Sequence, residues 1–176
     1  NERKKGQIKI IKIDKDNEEI KLQGVKFEII DKNNSVVETI VTNEQGEATT
    51  SRLPIGEYKI KEVSIGTNEN YILNEEIKSI IIEEDKIKNI EFENEYKKGK
   101  LIIHKLDLDD KNIPIPNVEF EIIHEDGYKY YTKTDENGVA YVDNIRKGII
   151  MIRETKTNEI YYLNDKPYYT EIYWNE

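Results

Sequence analysis

Gly6-Gln7-Ile8-Lys9-Ile10-Ile11-Lys12-Ile13-Asp14 decides the fold, because it returns as Gly99-Lys100-Leu101-Ile102-Ile103-His104-Lys105-Leu106-Asp107, 93 residues later. Both copies alternate side chains along an apolar stripe, the period of a strand with one buried face. Further matches follow in the same order. Val25-Lys26-Phe27-Glu28-Ile29-Ile30 returns as Val118-Glu119-Phe120-Glu121-Ile122-Ile123, and Thr42-Asn43-Glu44-Gln45-Gly46 as Thr134-Asp135-Glu136-Asn137-Gly138. The run YKIKEV from Tyr58 matches IMIRET from Ile150, and Tyr71-Ile72-Leu73-Asn74 matches Tyr161-Tyr162-Leu163-Asn164. The period is too long for a solenoid and suits a small domain. The 176 residues therefore read as two tandem domains, 1–98 and 99–176, meeting at Tyr96-Lys97-Lys98-Gly99.

Each copy reads as all-β. In the first, strands are expected near residues 7–13, 25–30, 36–42, 57–63, 78–83 and 88–96. Turn chemistry separates them at Asp31-Lys32-Asn33-Asn34, Asn43-Glu44-Gln45-Gly46 and Pro54-Ile55-Gly56. Short strands at this density predict a β-sandwich, with another small β-barrel as the alternative.

Composition narrows the function classes. The net charge of −9 argues against nucleic acid or an anionic membrane as partner. No apolar run approaches the roughly 18 residues that span a bilayer. Without a signal peptide or anchor, the chain reads as a piece of a larger protein. It has no cysteine, which removes disulfides and thiolate chemistry and leaves a small extracellular module in need of another staple.

Strand alternation exposes an anomaly. Ile8, Ile10 and Lys12 share one face of their strand; so do Tyr58, Ile60 and Glu62, and again Ile90, Phe92 and Asn94. A Lys, a Glu and an Asn each end a stripe that should face the core, where an unpaired polar group costs several kcal/mol. They are expected to meet one another. Two arrangements fit. One is a buried Lys–Glu ion pair with Asn as hydrogen-bond partner. The other is chemical: burial lowers an amine's pKa and makes it nucleophilic, while a buried carboxyl stays protonated and polarises the Asn carbonyl. Attack would expel ammonia and join the side chains, once per molecule.

The ordered series IKIIKID, LQGVKFEI, TNEQGEA, LPIGEYKIKEV, YIL and FENEY resembles the Cna B-type (SpaA-like, prealbumin-like) repeats of Gram-positive surface adhesins and pilins. The resemblance covers all of the first copy and most of the second. It implies tandem Greek-key, prealbumin-like β-sandwiches. It also implies an autocatalytic Lys–Asn isopeptide bond in the first, with Lys12 as amine, Asn94 as acceptor and Glu62 as catalyst. In the second, Lys105 and Glu154 hold the corresponding places. The counterpart of Asn94 would fall beyond residue 176, so this domain is expected to lack its last strand, leaving Lys105 in an incomplete second site. Asn175 is an alternative partner, but its use would delete a whole hairpin. A strand from another chain could fill the gap by β-augmentation.

Other candidates read as structural. Asp14-Lys15-Asp16-Asn17-Glu18 and Asp107-Leu108-Asp109-Asp110 lack the full ligand spacing of a calcium loop and read as solvated turns. His104 lies opposite Lys105, and His124 reads as isolated, so no metal site is expected. Tyr128, Tyr130, Tyr131, Tyr161, Tyr162, Tyr168 and Tyr169 could form a binding face but read as strand packing. Leu53-Pro54-Ile55-Gly56 is not a sortase sorting signal, and no pilin-type lysine motif is present.

The expectation is a structural stalk or spacer of an extracellular, wall-anchored surface protein, with signal and anchor outside this stretch. It would need no cofactor and perform no turnover chemistry. Its partners would be neighbouring repeat domains of the same protein. A host matrix protein would be bound at a tip elsewhere or, in the alternative reading, by these modules themselves.

Overall fold

The computed structural model describes residues 1–175, and every regular element among them is a β-strand. The chain divides into two compact units, the first ending at Tyr96 and the second starting at Lys97.

The first unit holds β1 (Lys5–Asp14), β2 (Lys26–Ile30), β3 (Val36–Val41), β4 (Glu47–Thr49), β5 (Leu53–Pro54), β6 (Gly56–Ser64), β7 (Ile77–Ile82) and β8 (Ile87–Asn94). Strands β3-β2-β6-β7 form one antiparallel sheet. In the other, β1 is central. It pairs antiparallel with β4 and β5, and parallel with β8, from Gln7 opposite Ile87 to Asp14 opposite Asn94. First and last strands therefore lie side by side. The two faces enclose Ile8, Ile10, Phe27, Ile29, Ile60 and Phe92, all fully buried. Each such side chain contributes about 1.5–3 kcal/mol. Phe27 and Phe92 meet with ring centres 5.0 Å apart, so β8 supplies half of the central aromatic contact.

Two short strands, β4 and β5, go beyond the six expected. Leu53–Pro54, read as the edge of a turn, pairs with the start of β1. Two residues at a strand start accommodate proline, which has no N–H to donate.

The second unit holds β9 (Lys98–His104), β10 (Glu119–His124), β11 (Lys129–Lys133), β12 (Val139–Arg146), β13 (Gly148–Lys156) and β14 (Tyr168–Ile172). Its larger sheet, β11-β10-β13-β14, copies β3-β2-β6-β7, but its other sheet is only β12-β9. Among the described residues nothing corresponds to β8. Strand β14 is the counterpart of β7: it pairs antiparallel with β13, just as β7 pairs with β6.

The repeated turn motif has a shared physical cause. Asn43 Oδ1 accepts the N–H groups of Gln45 and Glu47, and Asp135 Oδ1 those of Asn137 and Val139. Gly46 and Gly138 close these turns at φ +70° and +69°, a conformation that favours glycine. Gly6 and Gly99 also share a constraint. A methyl group on either would overlap a carbonyl oxygen, that of Glu83 or of Tyr173 respectively.

Candidate functional site

Three strands of the first domain bring their anomalous polar residues to one point. Lys12 comes from β1, Glu62 from β6 and Asn94 from β8, each with 0% of its surface exposed. Lys12 Nζ lies 3.1 Å from Glu62 Oε1. Glu62 Oε2 accepts the Asn94 side-chain amide at 3.1 Å and the Asn74 backbone N–H at 2.6 Å. The carboxylate thus stands between amine and amide and touches both. Burial lowers the Lys12 pKa from its ordinary 10.5 to about 8, against the opposing attraction of Glu62. Asn94 Oδ1 accepts no hydrogen bond. Leaving a buried acceptor unmet costs about 1–3 kcal/mol.

Asn74 is the participant that face alternation missed, because it lies in the segment between β6 and β7. Besides its N–H to Glu62, its side chain donates to the Glu93 carbonyl at 2.8 Å and so ties this segment to β8. The signal was present: Asn74 closes the repeated Tyr-x-Leu-Asn motif, whose other copy ends at Asn164.

The second domain builds part of the same cluster. Lys105 Nζ lies 3.0 Å from Glu154 Oε2, and the Asn164 N–H points to Glu154 Oε1 at 3.4 Å. Here the Lys side chain is 23% exposed and the Glu 3%. Where the first domain has β8, there is an open groove of about 400 Å³, lined by Leu101, Ile103, Lys105, Phe120, Ile152 and Glu154 among others. Asn175 does not reach this cluster. Its N–H donates to the Lys98 carbonyl at 3.1 Å, as the Asp85 N–H donates to that of Lys5 at 2.9 Å. Asn175 is the counterpart of a turn residue between β7 and β8, not of Asn94.

Asp14 and Asp107 serve turns. Asp14 Oδ1 accepts the N–H groups of Asp16 and Asn17, and Oδ2 accepts the Tyr71 hydroxyl at 2.8 Å. Asp107 repeats the pattern with Asp109, Asp110 and Tyr161, and those hydrogen bonds hold its carboxyl below the usual range.

Two expectations are corrected. His124 is not isolated: it is buried, with Nε2 2.9 Å from the Lys147 carbonyl and Nδ1 2.6 Å from Asp126. Asp126 lies across a tight turn and Lys147 on a distant connection, neither of which strand alternation reveals. The tyrosines do not all pack. Tyr131, Tyr162, Tyr168 and Tyr169 are exposed. Tyr131 points outward from an edge strand, and Tyr168 lines the open groove.

The family model described as SpaA prealbumin-like fold domain matches this chain twice, over residues 6–96 and 99–176. The structure is similar to that of the Bacillus anthracis TIE protein, with 33% identity and a TM-score of 0.70, over 98% of this chain and 32% of that one. The chain thus spans about a third of that protein's length. It is also similar to a streptococcal ancillary pilin, with 18% identity and a TM-score of 0.45, over 100% of this chain and 61% of the pilin. A third likeness is to BcpA, the major pilin subunit of Bacillus cereus, with 13% identity and a TM-score of 0.47, over 97% and 96% of the two chains. No curated protein sequence matches the chain.

Proposed function

Since the chain belongs to the SpaA prealbumin-like fold family, we propose that its domains are stalk units of an extracellular, wall-anchored adhesin or pilin. In this reading the first domain is locked by an amide between Lys12 and Asn94. The observation that carries it is the contact of one fully buried carboxylate, Glu62, with both an amine and an amide from the first and last strands.

The chemistry follows from that contact. A pKa near 8 leaves a useful fraction of Lys12 neutral and nucleophilic at neutral pH. A protonated Glu62 carboxyl donates to Asn94 Oδ1 once the amide turns over, which meets the orphaned oxygen and polarises Cγ. Lys12 Nζ attacks Cγ. Glu62 gives its proton to Nδ2, which leaves as ammonia, and takes one in return from Nζ. One Nζ–Cγ bond forms, one Cγ–Nδ2 bond breaks, and the carboxyl ends as it began. The Glu62 role is acid–base catalysis within a single event per molecule.

The mechanical consequence follows from topology. Tension enters at the start of β1 and leaves at the end of β8. A bond from Lys12 to Asn94 carries it past everything between them. Closing a loop of about 80 residues also removes roughly 4–5 kcal/mol of unfolded-state entropy, by analogy with a disulfide.

Intact mass tests the lock: the folded chain should be lighter than its sequence by one ammonia, and Glu62→Ala should restore the full mass. A well-folded chain of unmodified mass overturns the proposal. A second reading, an adhesive module, is favoured by the exposed tyrosines of the second domain. Matrix-protein binding by this isolated chain, abolished by Tyr131→Ser or Tyr169→Ser, would establish it over the spacer.

A further inference from the structure

Strand β8 carries Asn94 to the site, and one of its edges lies outside any ladder. Among the described residues β8 pairs with β1 only and β7 with β6 only, so no ladder joins β7 to β8. Alternate carbonyls along a strand face the same edge. On the unpaired edge, the carbonyls of Glu91, Glu93 and, just past the strand end, Glu95 are met one by one from the segment 72–78. Lys78 Nζ donates to the Glu91 carbonyl at 2.7 Å, Asn74 Nδ2 to that of Glu93 at 2.8 Å, and the Ile72 N–H to that of Glu95 at 2.9 Å. The Asn94 carbonyl faces the β1 side, where it accepts the Lys15 N–H.

Lys78 stands where strand alternation puts a core residue. It shares its face of β7 with Ile80 and the buried Ile82, and its ammonium lies 4.9 Å from the centre of the Phe92 ring. Glu76 Oε2 is 3.9 Å from the same ammonium. A lysine thus ends this inward stripe as Lys12 ends that of β1, and it reaches across the seam to the backbone of β8. Asn74 spans the seam at two levels: its N–H holds Glu62 Oε2 at 2.6 Å while its side chain holds β8. One residue thereby fixes the Glu62 carboxylate relative to the strand that presents the amide. Such contacts set register. A slip of β8 by one residue would turn Asn94 outward and bring Glu93 or Glu95 inward, against Glu62.

We propose that Asn74 and Lys78 are positioning residues for the Lys12–Asn94 crosslink: their side-chain donors clasp alternate carbonyls on the free edge of β8 and fix the register that delivers Asn94 to Glu62. Both side chains act through the backbone of β8 rather than on the reacting atoms. The effect on the rate of bond formation rests on the crosslink proposed above; the seating of β8 does not.

Rate and seating are measured separately. For the rate, the intact mass of freshly translated full chain is followed in time. Asn74→Ala and Lys78→Met should each slow the loss of ammonia about tenfold, the worth of one such hydrogen bond. Lys78→Arg, which keeps a charged donor facing the Glu91 carbonyl, should recover the parent rate. Unchanged rates in both slowing variants overturn the positioning role. For the seating, hydrogen exchange is read in a Lys12→Met background, which cannot crosslink. Adding Asn74→Ala or Lys78→Met should expose the amides of β8 while those of β2 and β6 stay protected. Unchanged protection of β8 overturns the clasp. So does loss of protection in all three strands, which would make these contacts general supports of the fold. A parent chain that keeps its full mass refutes the crosslink and with it the effect on rate; selective exposure of β8 then still supports the seating, and its absence overturns it.

Discussion

The stripe Ile8-x-Ile10-x-Lys12 and the stripe Leu101-x-Ile103-x-Lys105 are nearly the same sequence in different surroundings. In the first, β8 lies alongside and the lysine is sealed; in the second, no strand lies there among the described residues and the lysine is 23% exposed. Both lysines still meet a glutamate, at 3.1 and 3.0 Å. The Lys–Glu contact is therefore local to β1–β6 or β9–β13, and the closing strand determines burial. Burial in turn lowers the Lys12 pKa.

The largest expected difference between the domains concerns the central aromatic. Phe27→Ala should cost about 3–5 kcal/mol, because it leaves a cavity against Phe92 in a closed core. Phe120→Ala should cost clearly less, since Phe120 lines an open groove. Hydrogen exchange read separately in each domain measures both. Equal losses would mean that the groove is closed in solution.

The buried lysine gives the next effect. In Asn94→Ala, which cannot crosslink, Lys12 keeps a pKa of about 8 in the folded state against 10.5 when unfolded. Between these values the unfolded chain holds the extra proton, so stability rises with pH across that window. The rise amounts to about 3 kcal/mol at about 1.4 kcal/mol per pH unit. Below pH 8 the full penalty persists. Urea midpoints from pH 7 to 10.5 should show this rise in Asn94→Ala and lose it in the Lys12→Met, Asn94→Ala double variant. A flat profile for the single variant would place the lysine in contact with water.

The smallest effect sits at the paired turns. Tyr71→Phe removes a hydroxyl from the buried Asp14 and should cost about 1–3 kcal/mol. Tyr161→Phe removes the same bond from Asp107 in wetter surroundings and should cost less. Thermal unfolding of the two variants ranks them; the reverse order would show that the second domain is the better packed.

Much of this was readable from the chain. Alternation placed Lys12, Glu62 and Asn94 on inward faces because strand periodicity is geometric and needs no tertiary knowledge. The internal repeat gave the tandem organisation. Asn74 escaped because the β6–β7 connection has no period to read. His124 escaped because its partners lie across a turn and on a remote connection. The exposed tyrosines were misread because composition says a residue favours strands without saying whether another strand covers it.

The sequence by itself determined the all-β class, the duplication and the inward placement of three polar side chains, since each follows from periodicity or self-similarity along one chain. Only the tertiary structure decided that Glu62 stands between Lys12 and Asn94, and that Lys105 faces an open groove. Those facts depend on which strands become neighbours and in what register, as when β1 takes β8 in parallel across the whole length of the domain.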